Sequence, residues 1–214
     1  MPTKHPEEHH HYRSDKGLIL ATPRDLQTLA IVAHHGVVRY EHLHELLSRV
    51  PGGPTKQVGM IAETTVKDQI DRWRRAGWIV YQRVLASERG YAWVTKKGLR
   101  LVGLDDIYEG KPPAELRYHH YWAVLDVRLH WWTEDLVDAE FIPERRLRVE
   151  ATNVSAKKHP DHTPAAIRIV GGSSIPDAVV FGRGFTDAIE VQLSPLKPAQ
   201  MQEKLERLIE ANYE

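Results

Sequence analysis

The sequence predicts an α/β (α+β) protein in two parts, and three observations carry that expectation. Apolar residues recur at helical spacing three times between residues 22 and 77. Short apolar runs bounded by glycine follow at 78–95 and again at 175–193, the mark of brief strands around turns. Two further helical stretches, 115–132 and 198–213, flank the second set of strands. A chain of 214 residues is long enough for two small parts, each with its own apolar residues to bury.

Residues 1–17, MPTKHPEEHHHYRSDKG, are polar and His-rich and predict a disordered tail. The first part spans 18–107. Its first helix opens at ATPRD: Thr22 caps, Pro23 suits the first helical position, and Asp25 stands where a capping box places its acid. Leu26, Leu29, Ala30 and Ala33 share a face, and Gly36 ends the helix. A second helix, Tyr40 to Ser48, turns Leu43, Leu46 and Leu47 inward, and the PGGP at 51–54 is a loop. The third, Thr64 to Gly77, lines up Val66, Ile70 and Trp73 on one side. Strands at 78–84 and 91–95 then surround the turn ASERG, and KKGLRLV follows.

Net charge is zero over the whole chain, yet residues 55–100 hold ten Lys and Arg against four Asp and Glu. That local surplus of six is what contact with phosphate requires. Helix, helix, basic helix and hairpin is the order of a winged helix-turn-helix, whose third helix enters the major groove. On this reading Lys67, Arg72, Arg74, Arg75, Arg89, Lys96 and Lys97 neutralise phosphates of double-stranded DNA, while Thr64, Thr65 and Gln69 reach base edges. The same fold also serves as a protein-interaction module. His34, His35, His42 and His44 lack the spacing that grips zinc and read as surface or helix-end residues.

YEGKPP, 108–113, reads as a linker to a second part spanning 114–214. There the long helix 115–132 carries Leu116, Ala123, Val124, Val127 and Trp131 as its inner stripe, with His120 on the same face as a hydrogen-bonded core histidine. A strand is expected at RRLRVE, 145–150, then a loop or hairpin arm over 153–172, then strands at 175–181 and 187–193, then the last helix with Met201, Leu205, Leu208 and Ile209 on its apolar side. Alternation puts Glu190 and Gln192 on one face of the last strand. Antiparallel pairing would bring Asp177 close to Glu190, and two neighbouring carboxylates are relieved by a divalent cation. The plainer alternative is a polar network in which Glu190 pairs with Arg146, Arg148 or Arg183.

Pro176-Asp177 opening an apolar strand, followed by Glu190-Val191-Gln192 and a helix, resembles the PD-(D/E)xK nuclease superfamily. With RYHHY at 117–121, PERRLR at 143–148 and the winged helix in front, the order of pieces resembles the replication-relaxation family of plasmids and mobile elements. That resemblance implies a restriction-endonuclease-like αβββα domain. The superfamily adds a strand after the last helix, and the sequence ends at Glu214, directly after that helix. It implies catalytic roles for Asp177, Glu190, Gln192 and Glu144, with Mg²⁺ or Mn²⁺ held by Asp177, Glu190 and the Val191 carbonyl. Gln192 stands where the superfamily has lysine and carries no charge to stabilise a phosphorane; Lys197 is the nearest substitute. Two functional readings stay open: a DNA-binding protein that nicks or cleaves with Mg²⁺, and a non-enzymatic replication or transcription regulator whose nuclease-like part serves dimerisation or docking of other replication or mobilisation proteins. An adaptor without DNA contact is a third.

The absence of cysteine excludes disulfides, thiolate zinc sites and a cysteine nucleophile. No apolar run approaches the roughly 20 residues that cross a membrane, and no secretory signal opens the chain. Both point to the cytoplasm.

Overall fold

The computed structural model describes residues 19–51, 60–83, 89–132, 140–155, 175–182, 184–194 and 197–212. The N-terminal tail, the arm around 166–170 and Arg183 lie outside them. The chain is a mixed α/β protein with two small antiparallel sheets.

The first part runs α1 (Pro23–His35), β1 (Val38–Arg39), α2 (Tyr40–Arg49), α3 (Glu63–Ala76), β2 (Ile79–Gln82), β3 (Tyr91–Val94) and α4 (Lys96–Leu101). The capping box forms as expected: Thr22 Oγ1 accepts the Asp25 N–H at 3.2 Å, and Asp25 Oδ2 accepts the Thr22 N–H at 2.7 Å. Gly36 closes α1 at φ 83°, and Gly77 closes α3 in the left-handed region. β1 is too short to show a period of two in the sequence. It adds to the hairpin so that β3 is central, in the order β1-β3-β2, with Val38 opposite Ala92 and Ile79 opposite Val94. KKGLRL becomes α4, capped by the Thr95 hydroxyl on the Gly98 N–H. Leu29, Val32, Leu43, Leu46, Val66 and Trp73 are sealed from solvent at the centre of this part.

The second part opens with a 3₁₀ turn (Glu115–Arg117) and α5 (Tyr118–Trp131), followed by β4 (Glu140–Pro143), α6 (Glu144–Ser155), β5 (Ala178–Gly182), β6 (Phe185–Ile189) and α7 (Pro198–Asn212). The sheet is an antiparallel meander with β5 in the middle. Its two faces are both covered. Ala178 and Val180 pack with Phe141 and Val124 of α5, while Val179 packs with Ile142 and Leu147 of α6.

Three expectations are corrected here. Residues 145–150 are helix, not strand: the R-L-R-V alternation is local, whereas Leu147, Ala151 and Val154 keep a helical spacing, and Glu144 places an acid in the first turn. The strand itself lies just before, at Glu140–Pro143. The last strand stops at Ile189, so Glu190, Val191 and Gln192 leave the sheet, and Leu193 is exposed. On α5 the expected stripe is only one of two buried sides. Val124 faces the sheet, but Leu125 and Leu129 join the core of the first part, and Leu116 stands almost fully in solvent.

That second side of α5 joins the two parts into one packed body. Asp126 receives Arg39 at 3.0 Å and His42 at 2.8 Å, and Arg145 donates to the Ala33 carbonyl at 2.8 Å. His35 does end α1 as expected, but it and His42 are buried because α5 covers them. The linker is anchored as well: Tyr108 is buried, its hydroxyl bonds His34 Nδ1 at 2.9 Å, and the Arg145 guanidinium lies 4.2 Å over its ring. On α7, Met201 and Leu205 remain exposed.

Candidate functional site

Helix α3 divides the expected DNA-binding residues into two groups. Val66, Ile70 and Trp73 bury one face, which turns Thr64, Thr65, Lys67, Arg74 and Arg75 to solvent. Gln69 and Arg72 are instead drawn inward to Asp25 of α1. Asp25 Oδ1 accepts Gln69 Nε2 at 2.8 Å and Trp73 Nε1 at 2.9 Å, and Oδ2 pairs with the Arg72 guanidinium. Asp25 is fully buried. Burial alone would raise its pKa, but the Thr22 N–H, Arg72 and Trp73 together hold it below the usual carboxylate range. Gln69 and Arg72 thus build the fold and are not free to serve as the expected outward-facing residues.

Among the outward cations, Arg74 pairs with Asp71 at 3.2 Å, and Arg75 Nε donates to the Asp71 carbonyl at 3.3 Å. Arg89, next to the hairpin turn, meets Glu63 at 2.7 Å and sits 5.2 Å over the Tyr40 ring. Glu63 is held below its usual pKa by Arg89. Lys67, Arg74, Arg83 and Arg89, with Glu63, Asp71, Tyr40 and Tyr81, line an open groove of about 620 Å³ between α3 and the hairpin. Lys96 and Lys97 are exposed at the start of α4, with the Lys96 ammonium on the Asp105 carbonyl.

The second constellation lies where α5, α6 and the entrance to β5 meet. Asp177 precedes β5 and is 9% exposed. Its Oδ1 pairs with His120 Nε2 of α5 at 2.9 Å, and its Oδ2 accepts the Val191 N–H at 2.7 Å. Its carbonyl accepts the N–H of Glu144, the first residue of α6, at 2.7 Å. Glu144 in turn accepts Arg148 Nε at 2.8 Å one turn on, and its side chain is 12% exposed. One ligand atom each from His120, Glu144 and Asp177 lies within 4.8 Å of the others, an arrangement that could hold a metal ion.

This cluster overlaps the expected carboxylate site without reproducing it. Asp177 and Glu144 belong to it. The pairing of Ala178 with Ile189 does bring the entrance of β5 beside the exit of β6, but Glu190 is not in the cluster. Val191 meets Asp177 through its N–H, where a carbonyl was expected to meet a metal. Gln192 is exposed and turns its amide to the Ser194 carbonyl at 2.6 Å. The described cluster thus differs from the set implied by the resemblance in placing His120 and Glu144 beside Asp177. Nearby, Arg146 meets Glu140 at 2.8 Å and Arg148 meets Glu144, while Arg183, the third arginine expected near Glu190, lies outside the described residues. His120 is the member that the sequence reading placed in the core, because 57 residues separate it from Asp177 and no local spacing links them. The available signal was a histidine on an apolar helix face that needs a buried polar partner.

A comparison of the chain with protein-family models, with curated proteins and with solved structures finds no match. Among the described residues no helix is long and apolar enough to cross a membrane.

Proposed function

We propose that this chain is a double-stranded DNA-binding protein that uses α3 and the neighbouring hairpin, in the manner of a winged helix. The carrying observation is the division of α3. Its apolar face is sealed against the core, while Thr64, Thr65, Lys67, Arg74 and Arg75 project to solvent beside a groove lined by four cations and two acids, Glu63 and Asp71. The order of elements, with a third strand completing the sheet, supports the same reading. The sequence resemblance to the replication-relaxation family supplies the setting, maintenance of a plasmid or mobile element in the cytoplasm.

Between the enzymatic and non-enzymatic forms of this reading, the position of Gln192 favours the second. An uncharged side chain engaged with its own loop offers no electrostatic stabilisation to a transferring phosphoryl group. We therefore assign the chain to DNA-binding regulators, with its second part serving dimerisation or docking. Fluorescence anisotropy on a labelled duplex over a series of salt concentrations tests the proposal. Binding should weaken with salt, and Arg74→Ala with Arg75→Ala should lower affinity and reduce the slope by about 2. Unchanged binding and slope in that double variant would leave the interaction adaptor. Incubation with supercoiled plasmid in MgCl₂ should leave the plasmid intact; nicking that Asp177→Asn abolishes would restore the nuclease reading.

A further inference from the structure

We infer that His120, Glu144 and Asp177 form a binding site for a single first-row transition cation of the Zn²⁺ or Mn²⁺ class, in preference to Mg²⁺. The inference is independent of the DNA-binding reading. Three observations carry it.

The first is the donor set. One imidazole and two carboxylates converge from three different elements, with their ligand atoms within 4.8 Å of one another. Bonds of about 2.0–2.2 Å to Zn²⁺ require neighbouring donors roughly 3–4 Å apart. His120 Nε2 and Asp177 Oδ1 already stand at 2.9 Å. Metal binding would replace this hydrogen bond with two coordinate bonds. An imidazole suits zinc and the two carboxylates suit manganese, whereas Mg²⁺ takes oxygen ligands and keeps several waters.

The second is orientation. The Val191 N–H holds Asp177 Oδ2, so Oδ1 faces His120; Arg148 holds Glu144 Oε1; and the Glu144 N–H ties the start of α6 to the Asp177 carbonyl. Metal sites use outer partners of this kind to fix their ligands before the ion arrives.

The third is a cavity of about 10 Å³ lined by all three residues and by His35, Tyr121 and Arg145. That is room for about one water, the ligand that completes a three-residue site. His35 is 1% exposed and explains why such a water would be stable. Arg128 Nη1 lies 3.3 Å from its Nε2, and a guanidinium only donates, so Nε2 accepts and the proton sits on Nδ1. Among the described residues that buried Nδ1–H has no hydrogen-bond partner. A metal-bound water in the cavity would accept from it.

Isothermal titration of the full chain with ZnCl₂, MnCl₂ and MgCl₂ tests the inference. His9, His10 and His11 are first replaced by Ala so that the His-rich tail does not chelate. One equivalent of Zn²⁺ or Mn²⁺ should bind, with Mg²⁺ in large excess failing to displace it. Glu144→Gln and His120→Gln should each weaken the binding at least tenfold. Glu144→Gln keeps the shape of a side chain at the start of α6, so it decides the matter if His120→Gln fails to fold. No saturable binding, equal affinity in a folded Glu144→Gln variant, or equal competition by Mg²⁺ would each overturn the inference.

Discussion

Asp25→Asn isolates the interaction that pins α3 to α1. The carboxylate accepts the Thr22 N–H at 2.7 Å, Gln69 at 2.8 Å, Trp73 Nε1 at 2.9 Å and the Arg72 guanidinium, with no exposure to solvent. Asparagine keeps the shape and one carbonyl oxygen but cannot accept from all four donors, and it leaves Arg72 without its counter-charge. Removing one partner of a buried pair costs about 3–5 kcal/mol, and the preserved shape places this substitution near about 3 kcal/mol. For a chain of this size each kcal/mol lowers Tm by about 2–4 °C, so a fall of roughly 6–12 °C is expected. Thermal unfolding followed by circular dichroism at pH 7 measures it, with Trp fluorescence reporting on Trp73. A pH series adds a second check. Because the folded pKa of Asp25 is depressed, its contribution is present above the ordinary value of 3.8 and is lost as pH falls through the lower folded value. Asp25→Asn should flatten that acid limb. A variant that melts within a degree of the parent would refute the claim that Gln69 and Arg72 are structural.

The same division predicts opposite effects from adjacent arginines: Arg72→Ala should lower Tm by several degrees, whereas Arg74→Ala with Arg75→Ala should leave Tm unchanged and act on the DNA titration alone. His34 is pushed down to about 4 by burial and by Arg146, Arg128 and Arg145, while burial also depresses His35 and His42. The unfolded chain then binds protons first as pH drops below about 6.5. Stability should fall between that pH and about 4, by up to roughly 3 kcal/mol from His34 alone, as denaturant midpoints at successive pH values would read. Leu125→Ala should cost about 2–5 kcal/mol and lower a single unfolding transition, since Leu125 is sealed within the core of the first part although it belongs to the second. Two resolved transitions in calorimetry, only one of them shifted, would show that the parts unfold separately.

The sequence made legible what local physics decides. The capping box at Thr22, the glycine ends of α1 and α3, and the Val66–Ile70–Trp73 face follow from spacings within one element. Where a neighbour decides, the reading failed. Gln69 and Arg72 were sorted with the outward base-reading groups and cations because nothing within α3 shows that Asp25 lies 44 and 47 residues away in sequence and close in space. The R-L-R-V run at 146–149 satisfied a strand over four residues, too short a window to separate a period of 2 from 3.6. At the carboxylate site, Asp177 and Glu144 entered through the family resemblance carried by Pro176-Asp177 and PERRLR, and the fold places both in one cluster. His120 was not recognised, since its partnership with Asp177 exists only once α5 lies across the sheet.

Helix α5 is also the reason that the two candidate sites belong to one molecule. Leu125 and Leu129 enter the core of the first part, and Asp126 binds Arg39 and His42 there. On its other side Val124 packs on the sheet and His120 reaches Asp177. Arg49 of α2 donates to the carbonyls of Leu129 and Trp132 at the C-terminal end of the same helix, where the dipole favours a cation. A helix held on both sides cannot turn to reposition His120 without disturbing the packing of α1 and α2, on which α3 rests. Under the two proposals, a cation fixing His120 would bear on the same scaffold that carries Lys67, Arg74 and Arg75, and any effect on one site would be returned to the other by linkage. If both bind as proposed, the size of that coupling is the ratio of DNA affinities with and without bound cation. It vanishes only if the bound and free forms hold α5 alike, and the 2.9 Å His120–Asp177 bond already present without metal sets it toward the small end.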